Sequence, residues 1–277
     1  VDGSGFIFRA AGTLLRRPHG RPSLPDIGIK GEAVVEAGPM AAYAAVCGFT
    51  AAQGVPVTYP HILSFPLQMR LMLGRGFPFP LPGLVHLQNR IVQHAGIVTG
   101  DRLGFEVRAS RLVEHPRGQA FVIATTARRD GEMIWEGESL YLHRRRLPGE
   151  GQPAPVLADM EADRLAEAWD APADIGRRYA RVSGDPNPIH TNALMARLLG
   201  FPRPIAHGMW SLARAAAALS PPTPLASAAL EGSFRAPLLL PGRVRLWVQG
   251  PDFELIAPES GRSCLRGRLT FGAAPHV

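Results

Sequence analysis

Tyr179-Ala-Arg-Val-Ser-Gly-Asp-Pro-Asn-Pro-Ile-His190, followed downstream by His207-Gly208-Met-Trp210, is the stretch from which the rest of the chain is read. Asp185 and His190 stand five residues apart across a turn stiffened by Pro186 and Pro188. Asn187-Pro188 is a helix-start pair, a capping side chain followed by proline at the first helical position. The expected helix buries Ile189, Leu194, Met195, Leu198 and Leu199 and stops at Gly200. His190 then falls in its first turn, with Asp185 on the loop just before it. A carboxylate and a neutral imidazole flanking one site can share a water and exchange its protons.

The second element, Pro204-Ile-Ala-His-Gly-Met-Trp210, runs into Leu212, Ala213, Ala216 and Leu219 at helical spacing and ends before Pro221-Pro222. The first amides of such a helix lack intrahelical partners and lie at the positive end of its dipole. Gly208 has no Cβ, so a ligand can approach its N–H closely. An enolate-like thioester oxygen would be stabilised there. Taken alone, Gly-Asp-Pro-Asn-Pro is an ordinary turn composition. The weight comes from His190 and the His207-Gly208 helix start occurring with it.

Tyr179, then Gly184-Asp185-Pro-Asn187-Pro188-Ile189-His190, then His207-Gly208-Met209 closely resemble the paired blocks of the MaoC-like, (R)-specific enoyl-thioester hydratase family, hydratase 2. The resemblance implies Asp185 and His190 as the catalytic pair and the Gly208 amide as oxyanion donor. It also implies an α+β fold, a double hotdog in which two long helices are each wrapped by an antiparallel sheet. Asn187, His207 and Tyr179 are the accompanying substrate-side candidates; for His207, shaping the site and hydrogen-bonding the loop both stand. The sequence displays no metal-ligand cluster, and neither a metal nor another cofactor is expected.

Two halves are visible without the resemblance. Gly149-Glu-Gly-Gln-Pro-Ala-Pro155 is a Gly/Pro-rich break, read as a linker between residues 1–148 and 156–277. Val92 to Gly100 aligns with Phe234 to Gly242, and each opens a strand series: Leu103 to Arg108 in one half, Val244 to Gln249 in the other. A helical stretch precedes the strands in each half, Leu63 to Leu73 and Met209 to Leu219. Where the second half has Gly-Asp-Pro-Asn-Pro-Ile-His, the first has Gly54-Val-Pro-Val-Thr-Tyr-Pro-His61, with no Asp and no His-Gly helix start. One active site per chain is therefore expected, built by residues 156–277, with a degenerate first half shaping the substrate tunnel. Pro66 is expected to confine the first-half helix, and Gly74 to Gly83 is too rich in Gly and Pro to stay regular. That would leave room for a medium or long acyl chain beside Phe77 and Phe79, unless those rings fill the first-half core. For His86 and Asn89 a strand-end hydrogen bond is the default reading, and a pocket role the alternative.

Composition bounds the rest. The chain has 277 residues, 46% of them hydrophobic, which suits a folded globular protein. Cys47 and Cys264 lie far apart with no Cys-x-x-Cys, which fits a reducing compartment and a cytoplasmic location. No apolar run reaches the roughly 18 residues of a membrane span. The start, Val1 to Arg9, lacks the apolar core of a signal peptide, and residues 6–17 read as a short basic helix, a docked or frayed terminal segment with membrane-surface contact as the alternative. Net charge is +7 and every basic residue except Lys30 is arginine. The arginines are dispersed, with Arg144-Arg-Arg146 the one cluster, so nucleic acid fits poorly. The phosphates of coenzyme A, or an acidic acyl carrier protein, fit better. The sequence is compatible with a homodimer.

The expected activity is reversible hydration of trans-2-enoyl thioesters to (R)-3-hydroxyacyl thioesters in lipid metabolism. Hydrolysis of an acyl thioester is the nearest enzymatic rival, and a non-catalytic acyl-thioester-binding subunit the rival of another class. No His-Glu-x-x-His, Gly-x-Ser-x-Gly or Gly-x-Gly-x-x-Gly occurs to suggest other chemistry.

Overall fold

Strands dominate because apolar side chains recur at every second position. The computed structural model describes residues 10, 12–16, 22–145, 149–153, 157, 160 and 163–272. Its first half carries β1 (Ile29–Val34), β2 (Val85–Gln93), β3 (Arg102–His115), β4 (Gly118–Arg129) and β5 (Glu132–Arg144). A two-residue β6 (Gln152–Pro153) runs parallel to β3. The second half carries β7 (Arg164–Ala171), β8 (Ala228–Phe234), β9 (Gly242–Gln249), β10 (Asp252–Ala257) and β11 (Arg262–Phe271). Leu103, Phe105 and Val107 of β3 point into the core, as do Val244, Leu246 and Val248 of β9. The spatial order is β1-β3-β4-β5-β2 in one half and β7-β9-β10-β11-β8 in the other, the same pattern twice. β2 and β8 then pair antiparallel, from Gln88 opposite Ser233 to Gln93 opposite Ala228. The two expected sheets are thereby one continuous sheet.

The helices are α1 (Ala37–Cys47), α2 (Tyr59–Leu73), α3 (Ile175–Ser183), α4 (Pro188–Thr191), α5 (Ala193–Leu198) and α6 (Gly208–Leu219). α2 packs on β1, β3 and β4, and α6 packs on β8 and β11. α1 crosses between the halves to pack on α3 and α6. Trp210 Nε1–H donates to the Val46 carbonyl at 3.0 Å, and the Gln53 amide donates to Ala217 at 2.9 Å. One core cluster accordingly draws Tyr43 and Trp135 from the first half and Tyr179, Trp210 and Phe253 from the second. Cys47 and Cys264 are both buried free thiols. Among the described residues no helix is long and apolar enough to cross a membrane.

Two local expectations are corrected. α2 is not confined by Pro66: it begins at Tyr59 and spans 15 residues, against 12 in α6. Pro60 falls in its first turn, where a missing N–H costs nothing. Pro66 removes one internal bond, and the buried face of His61, Ser64, Gln68, Leu71 and Met72 holds the helix regardless. Gly74 to Gly83 is irregular, as expected. The second correction concerns residues 188–199. They form two helices, broken at Asn192, whose side chain caps α5 by accepting from the Leu194 and Met195 amides. Leu194, Met195, Leu198 and Leu199 are exposed rather than buried, and Ala196 alone turns inward from α5. Gly200 does terminate the segment, with a φ of 90°.

Other parts lie partly outside the described residues. Of residues 6–17, residues 10 and 12–16 are described; they include a 3-10 turn, Thr13–Leu15, followed by Arg16. The Arg16 guanidinium donates to the Met72 and Leu73 carbonyls at 2.7 and 2.8 Å and so caps the end of α2. Arg146, Ala154, Pro155 and the segment 1–9 fall outside. Gly149 and Glu150 of the expected linker bond to His115 and Gln119, so this part is docked on the first half.

Candidate active site

The site is assembled where α3 ends and α6 begins. Gly184 closes α3 in the left-handed region, φ 71°, which turns the chain sharply into Asp185. The Asp185 carboxylate is then held by its own loop: Oδ1 accepts the Asn187 N–H at 3.1 Å. Asn187 Oδ1 in turn accepts the Ile189 N–H at 3.3 Å, capping α4. Asn187 is thus a brace for the loop that carries Asp185. His190, on α4, is buried, and its Nδ1 lies 2.8 Å from the Ile205 carbonyl. A carbonyl only accepts, so Nδ1 carries the proton and Nε2 presents a lone pair.

His207 lies behind this pair. Its ring stacks on that of His190 at 3.7 Å, and its Nε2–H donates to the Asp185 backbone carbonyl at 3.3 Å. The same nitrogen stands 3.8 Å from Asp185 Oδ2. His207 thus bonds the loop that carries Asp185 and packs its ring on that of His190. Tyr179 is sealed between Tyr43, 6.1 Å away, and His207, 4.9 Å away, so it backs His207 from the core side.

Burial sets the protonation states. Desolvation raises the Asp185 pKa, with the attraction of His190 and the Asn187 N–H opposing it. His190 is lowered, first by burial, with Asp185 opposing. His207 is pushed well below the ordinary imidazole range by burial and then by His190. Both imidazoles therefore favour the neutral form, and the Asp185 carboxyl holds its proton more tightly than an exposed one would. About a third of the Asp185 side chain, 31%, remains open.

Asp185, His190 and His207 each offer a ligand-type atom, all within 4.8 Å of one another. Their disposition suits water better than a metal. The two imidazoles are stacked with only 28° between their planes, and the His190 Nδ1 and His207 Nε2 protons are already committed. In-plane lone pairs of stacked rings do not converge on one ion at about 2.0–2.1 Å.

Gly208 is the first residue of α6, with His207 as its N-cap in extended conformation. Its backbone faces the Phe234 ring: a Cβ on Gly208 would lie 2.8 Å from Phe234 Cδ1. Phe234 is 4.9 Å from His86, and His86 is 4.5 Å from Tyr141. Sequence reading missed Phe234 and Tyr141 as neighbours of the site. Their signal is tertiary, because β2, β5 and β8 meet only through strand pairing. A bulge between His86 and Gln88 makes Leu87 the extra residue and sets His86 opposite Tyr141, on the face shared with Asn89 and Ser139. His86 Nε2 is buried without a hydrogen-bond partner, and burial followed by His61 lowers the pKa to about 3. The Tyr141 phenol is raised, by burial first and then by the Asp185 charge. Asn89 sits in the middle of β2 and donates to the Ser139 hydroxyl across the strand pair at 3.0 Å, not at a strand end. Gly176, also missed, lets α3 rest directly on α4, since a Cβ there would meet the His190 carbonyl at 1.9 Å.

Phe77 and Phe79 are not brought to this cluster. Both are fully buried in a separate first-half core with Leu71, Met72, Val107 and Phe121. Phe79 stacks on Phe121 at 5.0 Å, and Phe121 in turn meets Tyr141 at 5.8 Å. The rings are a packed core two contacts from the site.

Comparison with known proteins agrees with this geometry. The family model described as MaoC like domain matches residues 156–235. The 3-hydroxyacyl-thioester dehydratase X of Mycobacterium tuberculosis is 37% identical over 249 residues, 89% of this chain and 88% of that protein. A crystal structure of HtdX from the same organism superposes with a TM-score of 0.75 at 32% identity, covering 89% of this chain and all of that one. A MaoC-like dehydratase from Phytophthora capsici has the same fold, with a TM-score of 0.72 at 17% identity over 91% of this chain and 97% of its own. With its catalytic-type loop, its helix start and a relative matched along nearly its whole length, the chain belongs to the MaoC-like dehydratase family.

Proposed function

We propose that this protein reversibly hydrates trans-2-enoyl thioesters to (R)-3-hydroxyacyl thioesters, within fatty-acid metabolism. The observation that carries the reading is the facing of the Asp185–His190 pair by the start of α6, whose first amides have no partner within the helix. In the hydration direction a water sits between the Asp185 carboxylate and His190 Nε2. The pair takes one of its protons as the oxygen bonds to C3. The C2=C3 electron pair moves to the thioester, whose oxygen becomes enolate-like against the Gly208 N–H. The enolate collapses as C2 takes a proton back from the pair, leaving both groups as they began. His207 and Asn187 hold the two groups in register, and Tyr179 backs His207. Dehydration is the same path reversed.

The first half does not repeat the Gly-Asp-Pro-Asn-Pro-Ile-His block. At the start of α2 stand Thr58-Tyr-Pro60-His61, and Pro60 has no N–H to offer. Its role in this reading is to supply the far wall of the site through β2 and β5. The test is a coupled assay with enoyl thioester and either an (R)- or an (S)-specific 3-hydroxyacyl dehydrogenase, run beside a free-thiol assay. Coupling through the (R)-specific enzyme is expected. Thiol release without hydration would transfer the site to thioester hydrolysis.

A further inference from the structure

The two halves differ in what lies between helix and sheet. In the second half α6 meets its sheet through Leu212, Gly232 and Leu265. In the first half the layer between α2 and its sheet is polar. Gln68 of α2 is 1% exposed, and its Nε2 reaches Ser64 Oγ at 3.2 Å and Thr125 Oγ1 of β4 at 3.5 Å. Ser64 spends its own proton on the His61 carbonyl at 2.9 Å, so towards Gln68 it can only accept. That fixes the Gln68 amide and leaves its carbonyl oxygen, Oε1, without a partner. On the sheet side Asn89, also 1% exposed, donates through Nδ2 to Ser139 Oγ and likewise leaves Oδ1 without a partner. His86 links the two sides, with its ring 6.5 Å from that of His61 and 4.5 Å from that of Tyr141. Its Nε2 is the third buried atom of the layer without a partner. Such atoms cost stability unless something completes them. The layer also reaches the site: the half-buried His86 is 4.9 Å from Phe234, and Phe234 lies against Gly208. It starts one ring away from the amide proposed for the thioester oxygen.

Resting on the hydratase reading above, we propose that this polar layer is a subsite for the acyl chain, and that the chain it takes carries a hydroxyl group beyond the reacting double bond. The free ends of Gln68 and Asn89 are carbonyl oxygens, which accept and cannot donate, so the group that completes them must bring a proton. Burial keeps the His86 imidazole neutral, and a neutral ring nitrogen can accept from a hydroxyl or donate to it. A ketone or an ether would set acceptor against acceptor. A chain amine would bring protons together with a buried charge, and the layer holds no carboxylate to pair it. An unsubstituted chain would cover these atoms and leave them all unmatched.

The test uses coenzyme A thioesters of trans-2-octenoic acid, of the same acid with a hydroxyl on C6 or on C7, and of the two matching ketones. In the parent protein kcat/KM for a hydroxyl form should exceed that for the plain and keto forms by about tenfold or more, the scale of one hydrogen bond to a buried acceptor. Gln68→Met and Asn89→Leu, each close in size to the residue replaced, should each lower that ratio at least about threefold. The saturated thioesters cannot react, and their Kd values, read by calorimetry on the parent protein, should follow the same order. Equal kcat/KM and equal Kd across the forms overturn the subsite. A preference that neither variant alters overturns it too. Variants that weaken every thioester alike would give the free acceptors to the amide N–H groups of the pantetheine arm. Variants that change stability but not the ratio would give them to a bound water. Either outcome removes the acyl-chain hydroxyl. A parent that hydrates none of the forms refutes the hydratase reading, and the calorimetric order then decides the subsite by itself.

Discussion

Replacing Gly208 by alanine puts the oxyanion assignment at risk in a measurable way. The new Cβ would stand 2.8, 2.9 and 3.1 Å from Phe234 Cδ1, Cε1 and Cγ. Comfortable carbon contacts lie at about 3.5–4.0 Å, so the two groups must separate by roughly 0.7 Å. Phe234 is poorly placed to retreat: it is the last residue of β8, paired with Leu265 of β11, and its ring abuts His86. Much of the shift therefore falls on the start of α6, whose first amide is the proposed donor. Overpacking of this kind costs about 1–3 kcal/mol of stability. Displacing a positioned group by a large fraction of an ångström costs up to about a hundredfold in rate. Initial rates at saturating enoyl thioester should accordingly show kcat down by about ten- to a hundredfold, with a lowered urea midpoint. Adding Phe234→Leu to the alanine variant removes the obstructing ring and should restore part of both, a coupling that a double-mutant cycle measures. A Gly208→Ala protein with parental kcat would show that the carbonyl is held elsewhere.

Asp185→Asn and His190→Ala should each lower kcat by at least about a hundredfold while the fold persists, the usual scale for general acid–base groups; full activity in either would remove that residue from the mechanism. Stability should fall on mild acidification. Burial holds His61 at about 4 and His86 at about 3, against 6.5 for the free imidazole, so between about pH 6.5 and 4 the unfolded chain binds protons that the folded one refuses. The contribution is whole above pH 6.5 and drains as pH falls, and the urea midpoint at pH 5 should lie below that at pH 7. His86→Phe should flatten the fall, and identical midpoints would count against the buried neutral histidines. Glu254 and Arg266 form a buried pair at 3.1 Å, so Arg266→Met alone should cost about 3–5 kcal/mol by stranding the carboxylate. Adding Glu254→Leu should recover most of that, and a double variant weaker than the single would contradict the reasoning.

What the sequence determined by itself is local. The turn of Gly184, the cap of Asn187 on Pro188, the stop at Gly200 and the start of α6 at Gly208 each depend on backbone dihedrals and side chains within a few residues. Asp185 and His190 were legible for the same reason, since one short loop fixes both. The strand alternation was legible too, so both halves and their α+β character followed. The tertiary structure decided which faces are covered. Apolar spacing in 194–199 marks a stripe, but among the described residues no element covers Leu194 and Leu198. Pro66 weakens a helix locally, yet the partners of His61, Gln68 and Met72 on the sheet keep α2 whole. The β2–β8 seam fuses the halves, and the bulge at Leu87 turns His86 toward Tyr141 and Phe234. Burial belongs to pairs of segments distant in the chain, and dihedral preferences carry no record of which segments will meet.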